Sequence, residues 1–198
     1  MVSANLSNAR LRTAKLTAAN IMASDLNSAD LEEADLSGAK LLRANLANAD
    51  LTRATLSKAD LYLADLREAT LNSADLNGAE LVGSNLAVAD LSGANLRMAD
   101  LTRAILVGSN LSGADLSGAD LTSANLNCAD LYMADLRQTR LSNARFKDAD
   151  LSEADLRGTD LSEAHLPEGM ERRDGQGFSC EPDSENPYTE AKALKGLT

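Results

Sequence analysis

Apolar residues recur at every fifth position from Leu6 to Leu166, a run of 33 consecutive sites filled by Leu except at Ile21 and Phe146. Two residues before each site stands Ala in 28 cases, and the other five, Ser24, Ser84, Ser109, Thr139 and Thr159, are also small. The unit reads Ala, Asp or Asn, Leu, and two variable residues. A five-residue beat does not suit an α-helix: at about 100° per residue each successive Leu would move about 140° around the axis, spreading the leucines over every face. Alternation of period two accounts for the triplet instead, with Ala and Leu pointing one way and the residue between them the other. The last two residues break the alternation, so the chain turns within every unit. Extended segments too short to pair alone satisfy their backbone by stacking on copies of themselves. The pattern therefore predicts a solenoid with continuous leucine ladders, alanines where the wall nears the axis, and coils about 4.8 Å apart.

Tracts such as Ala114-Asp115-Leu116-Ser117-Gly118 and Ala154-Asp155-Leu156-Arg157-Gly158 resemble the pentapeptide-repeat family in its Leu-centred form, and the likeness covers residues 4–166 without an insertion. The resemblance implies an all-β fold, a right-handed quadrilateral β-helix with four repeats per coil. Neither the four sides nor the hand follows from the periodicity. About eight coils then make a rod roughly 40 Å long, at about 4.8 Å per coil.

Residues 167–198 change character, with Pro167 and Gly169 ending the beat and Gly175, Gly177, Pro182 and Pro187 scattered beyond. This second region is expected to be a tail, partly loop. A short helix over Thr189 to Lys195, with Thr189 as N-cap, would combine with Phe178 and Tyr188 to cover the last coil. At the other end the repeats start almost at Met1. An open coil end is a row of unpaired backbone groups, so either sequence is missing upstream or that uncapped coil self-associates or docks on a partner.

Composition refines the picture. Only 3% of residues are aromatic and none is Trp, which leaves Leu and Ala to fill the interior. A net charge of −11 argues against direct binding of nucleic acid. It points to basic or zwitterionic protein surfaces, or simply to solubility. Neither a secretory n-region and h-region nor a run of about eighteen apolar residues is present, so no membrane span is expected. A cytoplasmic location follows, or the thylakoid lumen or periplasm if a targeting segment was removed. Cys128 and Cys180 form no CxxC pair and indicate no disulfide framework.

Catalytic constellations are missing: the one histidine, His165, occupies the polar position of the last repeat, and no nucleophile elbow, Walker loop or zinc spacing is found. No enzyme activity, cofactor, metal or catalytic residue is expected. A Thr ladder for ice fails too, since only Thr102 and Thr122 align. With twenty residues per coil, Asp60, Glu80, Asp100 and Asp120 form one outward acidic column and Asp115, Asp135 and Asp155 a second. Like charges at about 5 Å raise one another's pKa, while hydrogen bonds from turn amides lower it. If repulsion dominates, stability rises as pH falls from neutral; the alternative roles are turn residues bonding their own backbone or a cation site. The same register aligns Met22, Leu42, Tyr62 and Val82 on one outward flank and places Leu63, Ala87, Val88 and Val107 nearby across a corner. Tyr132 and Met133, with Cys128, form a lesser second cluster.

An apolar strip on a polar rod is a sign of a contact surface, although scattered exposed apolar residues are normal. The reading is a non-enzymatic rigid interaction or structural module for an unidentified protein partner. The resemblance also brings an alternative, an acidic DNA mimic bound to a type II topoisomerase such as gyrase. Against it, Phe146 is the sole central Phe, no loop interrupts the repeats, and the tail is polar.

Overall fold

The structure, a computed structural model, describes residues 2–167. The repeats up to the turn at Gly158 are built on one plan, as the unit around Leu91 illustrates. The N–H of Ala94 bonds back to the carbonyl of Leu91 at 3.0 Å, and Gly93 between them has φ +62°. That pair of features marks a type II turn, whose third residue needs positive φ. Three further amides reach other coils. Asp90 N–H donates to Ala69 O of the preceding coil at 3.0 Å, while Leu91 and Gly93 donate to Asn110 O and Ser112 O of the following coil at 2.7 and 2.9 Å.

These bonds repeat with an offset of twenty residues. Each polar position pairs in parallel with its equivalents twenty residues away, in 29 bridges from Asn5↔Asp25 to Arg145↔His165. A coil is therefore four repeats. The expected all-β architecture needs one correction: among the described residues there is no continuous strand and no helix, only single-residue bridges. A turn after every three residues leaves just one position per side free to pair both ways. The capping helix expected over Thr189 to Lys195, with Phe178 and Tyr188, lies outside the described residues.

The axis is an aliphatic column. Ile21, the leucines from Leu26 to Leu141, and Phe146 are at most 1% exposed, with Ala29 to Ala149 lining the wall beside them. Hydroxyls are admitted at three of the positions where Ala would stand with a carbonyl to receive them: Ser84 Oγ donates to Leu81 O at 2.7 Å, Ser109 Oγ to Leu106 O at 2.8 Å and Thr139 Oγ1 to Leu136 O at 2.7 Å. Burial falls off at Leu6, Leu11 and Leu16 and again from Leu151 to Leu166, where a described coil lies on one side only.

Candidate interaction surface

The polar position first serves the backbone. Turn and inter-coil bonds use four of the five amides in a repeat, leaving the one just after Leu. The Asp or Asn side chain takes it: Asp90 Oδ1 accepts from Ser92 N–H at 3.0 Å, Asp130 Oδ1 from Tyr132 N–H at 3.0 Å, and Asn110 Oδ1 from Ser112 N–H at 3.0 Å. With that bond every main-chain donor of the unit is satisfied.

Both acidic columns are present as successive bridge partners, Asp60↔Glu80↔Asp100↔Asp120 and Asp115↔Asp135↔Asp155. They differ in countercharge. The second is threaded with arginine: Arg97 Nη1 is 3.3 Å from Asp115, Arg137 Nη2 is 2.5 Å from Asp135 with its Nε 3.7 Å from Asp155, and Arg157 Nη2 is 2.5 Å from Asp155. Of the two opposing influences, repulsion and hydrogen bonding, hydrogen bonding prevails here. Arg157 beside Asp155 is the main cause of a carboxyl lowered to about 2. Arg137 lowers Asp135, for which repulsion from Asp155 is the smallest influence. At Asp115 burial pushes upward but hydrogen bonds from Ser117 and Arg97 outweigh it.

The first column carries Lys40 at one end and an Arg140–Asp120 contact of 3.1 Å at the other. Between them no ion pair to Asp60, Glu80 or Asp100 is present among the described residues. A third acidic group, Asp30, Glu32 and Asp50, brings carboxylates within 4.8 Å of one another. Arg12 and Arg53 both pair with Glu32, so this cluster has its cations.

The apolar strip is only partly where it was expected. Met22, Leu42, Tyr62 and Val82 share one outward column, which Val2 extends to five consecutive coils. Tyr62 and Leu63 are 41% and 40% exposed; Met22, Leu42 and Val82 are half-buried. Leu63 leans along the rod onto Gly83, where an added β-carbon would lie 2.8 Å from Leu63 Cδ2. Glycine makes that room.

Ala87, Val88 and Val107 belong to the next corner, across a polar column of Asn45, Asp65 and Asn85. Val88 is half-buried, and Val107 and Ala87 are only 3% and 1% exposed, so these two are not free surface. Vertical neighbours about 4.8 Å away shield a short side chain even at an outward position. Ile105, missed by the periodic reading, follows Asn85 in the intervening column. Its signal was legible, since it is the one apolar residue among the polar positions of the repeats. Tyr132 and Met133 are exposed on another corner, Cys128 is half-buried, and His165 is an exposed residue of the last described coil.

The fold and this surface define a β-solenoid that presents side chains outward in vertical columns of twenty-residue register. The model of pentapeptide repeats (8 copies) matches residues 2–32, 29–67, 69–108, 104–143 and 129–166, and the chain belongs to the pentapeptide-repeat family, whose proteins are right-handed quadrilateral β-helices. It is similar to HetL of Nostoc sp. strain PCC 7120, a pentapeptide repeat protein involved in heterocyst differentiation regulation, with 37% identity over 84% of each chain and a TM-score of 0.58. A pentapeptide repeat protein of the Arabidopsis thaliana thylakoid lumen is 30% identical over 50% of this chain and 70% of its own, with a TM-score of 0.28. QnrB1, a plasmid-mediated fluoroquinolone resistance protein, is 21% identical over 99% of this chain and 96% of its own, with a TM-score of 0.33. No curated protein matches the chain. Among the described residues no helix is long and apolar enough to cross a membrane.

Proposed function

We propose that this chain is a non-enzymatic, cytoplasmic interaction rod that docks a protein partner through Met22, Leu42, Tyr62, Leu63 and Val82. Its rigid body is the tract 4–166, and residues 167–198 are a second region of the chain. The observation that carries the reading is the run of five coils, Val2 to Val82, with an apolar residue at a single outward column. Outward columns are otherwise mostly hydroxyls, amides, glycines and charges, such as Arg12, Glu32, Thr52, Asn72 and Ser92. Apolar area kept in water is unfavourable by about 25 cal/mol per Å², so its concentration in one line favours a partner that covers it.

The test is capture by immobilised protein. Partners held by the unchanged chain should be lost from a Tyr62→Glu, Val82→Glu double variant with an unchanged circular dichroism spectrum; undiminished capture of all of them would refute the docking surface. The DNA-mimic alternative draws on the net charge of −11. Arg97, Arg137, Arg140 and Arg157, paired within the acidic columns, break up the continuous negative surface that such mimicry needs.

A further inference from the structure

We infer that the apolar column is covered by a second copy of this chain, packed antiparallel about a two-fold axis between the coils of Leu42 and Tyr62; the inference takes that column as the docking surface. The observation that selects the occupant is the order of charges along the column's edge. The polar column beside it reads Asn20, Lys40, Asp60, Glu80, so its sign inverts midway along the apolar line Met22, Leu42, Tyr62, Val82. Lys40 and Glu80 are exposed, Asp60 is half-buried, and none of the three has an ion pair among the described residues. An edge that is positive on one side of its midpoint and negative on the other complements itself when reversed.

A two-fold axis perpendicular to the rods lays each column on its own copy in reverse order, and identical coil spacing keeps the levels in step. With the axis between Leu42 and Tyr62, Lys40 meets Asp60 of the second copy, and symmetry forms the same pair again. Leu42 meets Tyr62, Met22 meets Val82, and Glu80 meets uncharged Asn20. Apolar faces apolar over four coils. The corners fit as well. Lys58, which leans along the rod onto Gly78, meets only Gly38 of the second copy. Arg43, exposed beside Leu42, meets Leu63 next to Tyr62, where its aliphatic stem covers the leucine and its guanidinium reaches the ring. Lys40, Lys58 and Arg43 stand against Asp60 and Glu80, so this side carries no net negative charge in a chain of −11.

The charges also fix the register. An axis level with Leu42 sets Lys40 on Lys40, one level with Tyr62 sets Asp60 on Asp60, and one between Tyr62 and Val82 sets Asp60 on Glu80. A two-fold axis along the rods swaps left and right and lays the charged column on the apolar one. Other sign inversions, such as Arg10 to Asp30 and Asp120 to Arg140, lie beside Arg12 and Glu32 or Thr122 and Ser142, with no apolar line to bury.

Sedimentation velocity of the full chain from about 1 to 200 μM is the test, a range suited to a contact of small area. A reversible monomer–dimer equilibrium is expected, and it should be absent from Tyr62→Glu, Val82→Glu with an unchanged circular dichroism spectrum. Lys40→Glu and Asp60→Lys each turn both symmetric pairs from attraction to repulsion and should weaken the dimer at least about tenfold. The fold admits lysine in this column, as Lys40 shows. Mixed in equal amounts, the two single variants should form a heterodimer, since one carries acids at both positions and the other lysines at both. The double variant Lys40→Glu, Asp60→Lys should recover the original affinity. A monomer throughout the range overturns the inference, as does a dimer that Tyr62→Glu, Val82→Glu or the single charge variants leave intact, or one that mixing does not restore. If the chain is monomeric, loss of captured partners with Tyr62→Glu, Val82→Glu leaves the docking surface standing and assigns it to a different protein; undiminished capture removes the surface too.

Discussion

At the scale of single residues, the Asp or Asn of the repeat explains itself by donor accounting before any recognition role is invoked. Its Oδ1 takes the amide that neither the turn nor the neighbouring coils can use, so loss of the acceptor matters more than loss of the charge. Asp130→Ala should therefore cost about 1 kcal/mol, the ordinary net worth of a hydrogen bond, whereas Asp130→Asn should stay within about 0.5 kcal/mol in urea denaturation. The arginine-paired acids set the pH response. Asp115, Asp135 and Asp155 titrate below the usual value of 3.8, Asp155 at about 2. A carboxyl lowered on folding stabilises the fold above its unfolded pKa, and that contribution disappears as pH falls through the folded value. Thermal melting should accordingly be flat between about pH 7 and 5 and drop between about pH 4 and 2; a rise in melting temperature on acidification would restore the repulsion reading.

At the scale of the turn, the third residue has positive φ from Ser3 to Gly158, and 24 of these residues are not glycine. Conformation alone does not place the glycines; neighbours do. In one column Lys58, Met98 and Gln138 alternate with Gly78, Gly118 and Gly158, each long side chain leaning onto the glycine of the next coil. An added β-carbon on Gly118 would come within 2.6 Å of Met98 Sδ, whereas one on Gly113 meets nothing within 4 Å. Gly113→Ala should cost only the left-handed backbone penalty, about 1 kcal/mol, and Gly118→Ala more. In a Met98→Ala background the excess should vanish, a coupling that a double-mutant cycle reads directly. The ladder is graded as well. Leu86, fully buried, should lose about 2 to 5 kcal/mol on replacement by Ala and more on replacement by Asp, which finds no partner in an aliphatic column. The same change at half-buried Leu11 should cost clearly less.

At the scale of the whole molecule, the structure is close to one-dimensional, since each coil bonds only to the coils above and below. Protection from hydrogen exchange should thus be highest for the middle amides, such as Leu66 to Leu96, and fall through Leu6 to Leu16; uniform protection along the rod would show all-or-none opening instead. The DNA-mimic alternative is also decided at this level. A gyrase supercoiling assay at micromolar protein should show neither inhibition nor protection from a quinolone, and either effect would favour mimicry over the docking rod.

The five-residue beat by itself determined the aliphatic axis, the turn in every unit and the outward place of the acids, because alternation and turning are local properties of Ala, Asp, Leu and the two residues after them. It also held clues that periodicity overlooked, such as Ile105 at a polar position and arginines two residues after Asp135 and Asp155. What only the tertiary structure decided depends on closure of the coil at twenty residues. Closure sets which side chains become vertical neighbours, and so it decides that Val107 is shielded while Tyr62 is not, that Arg97 reaches Asp115 and Arg137 also reaches Asp155, and that Gly83 makes room for Leu63. Those are contacts between residues distant along the chain, and no five-residue unit carries them.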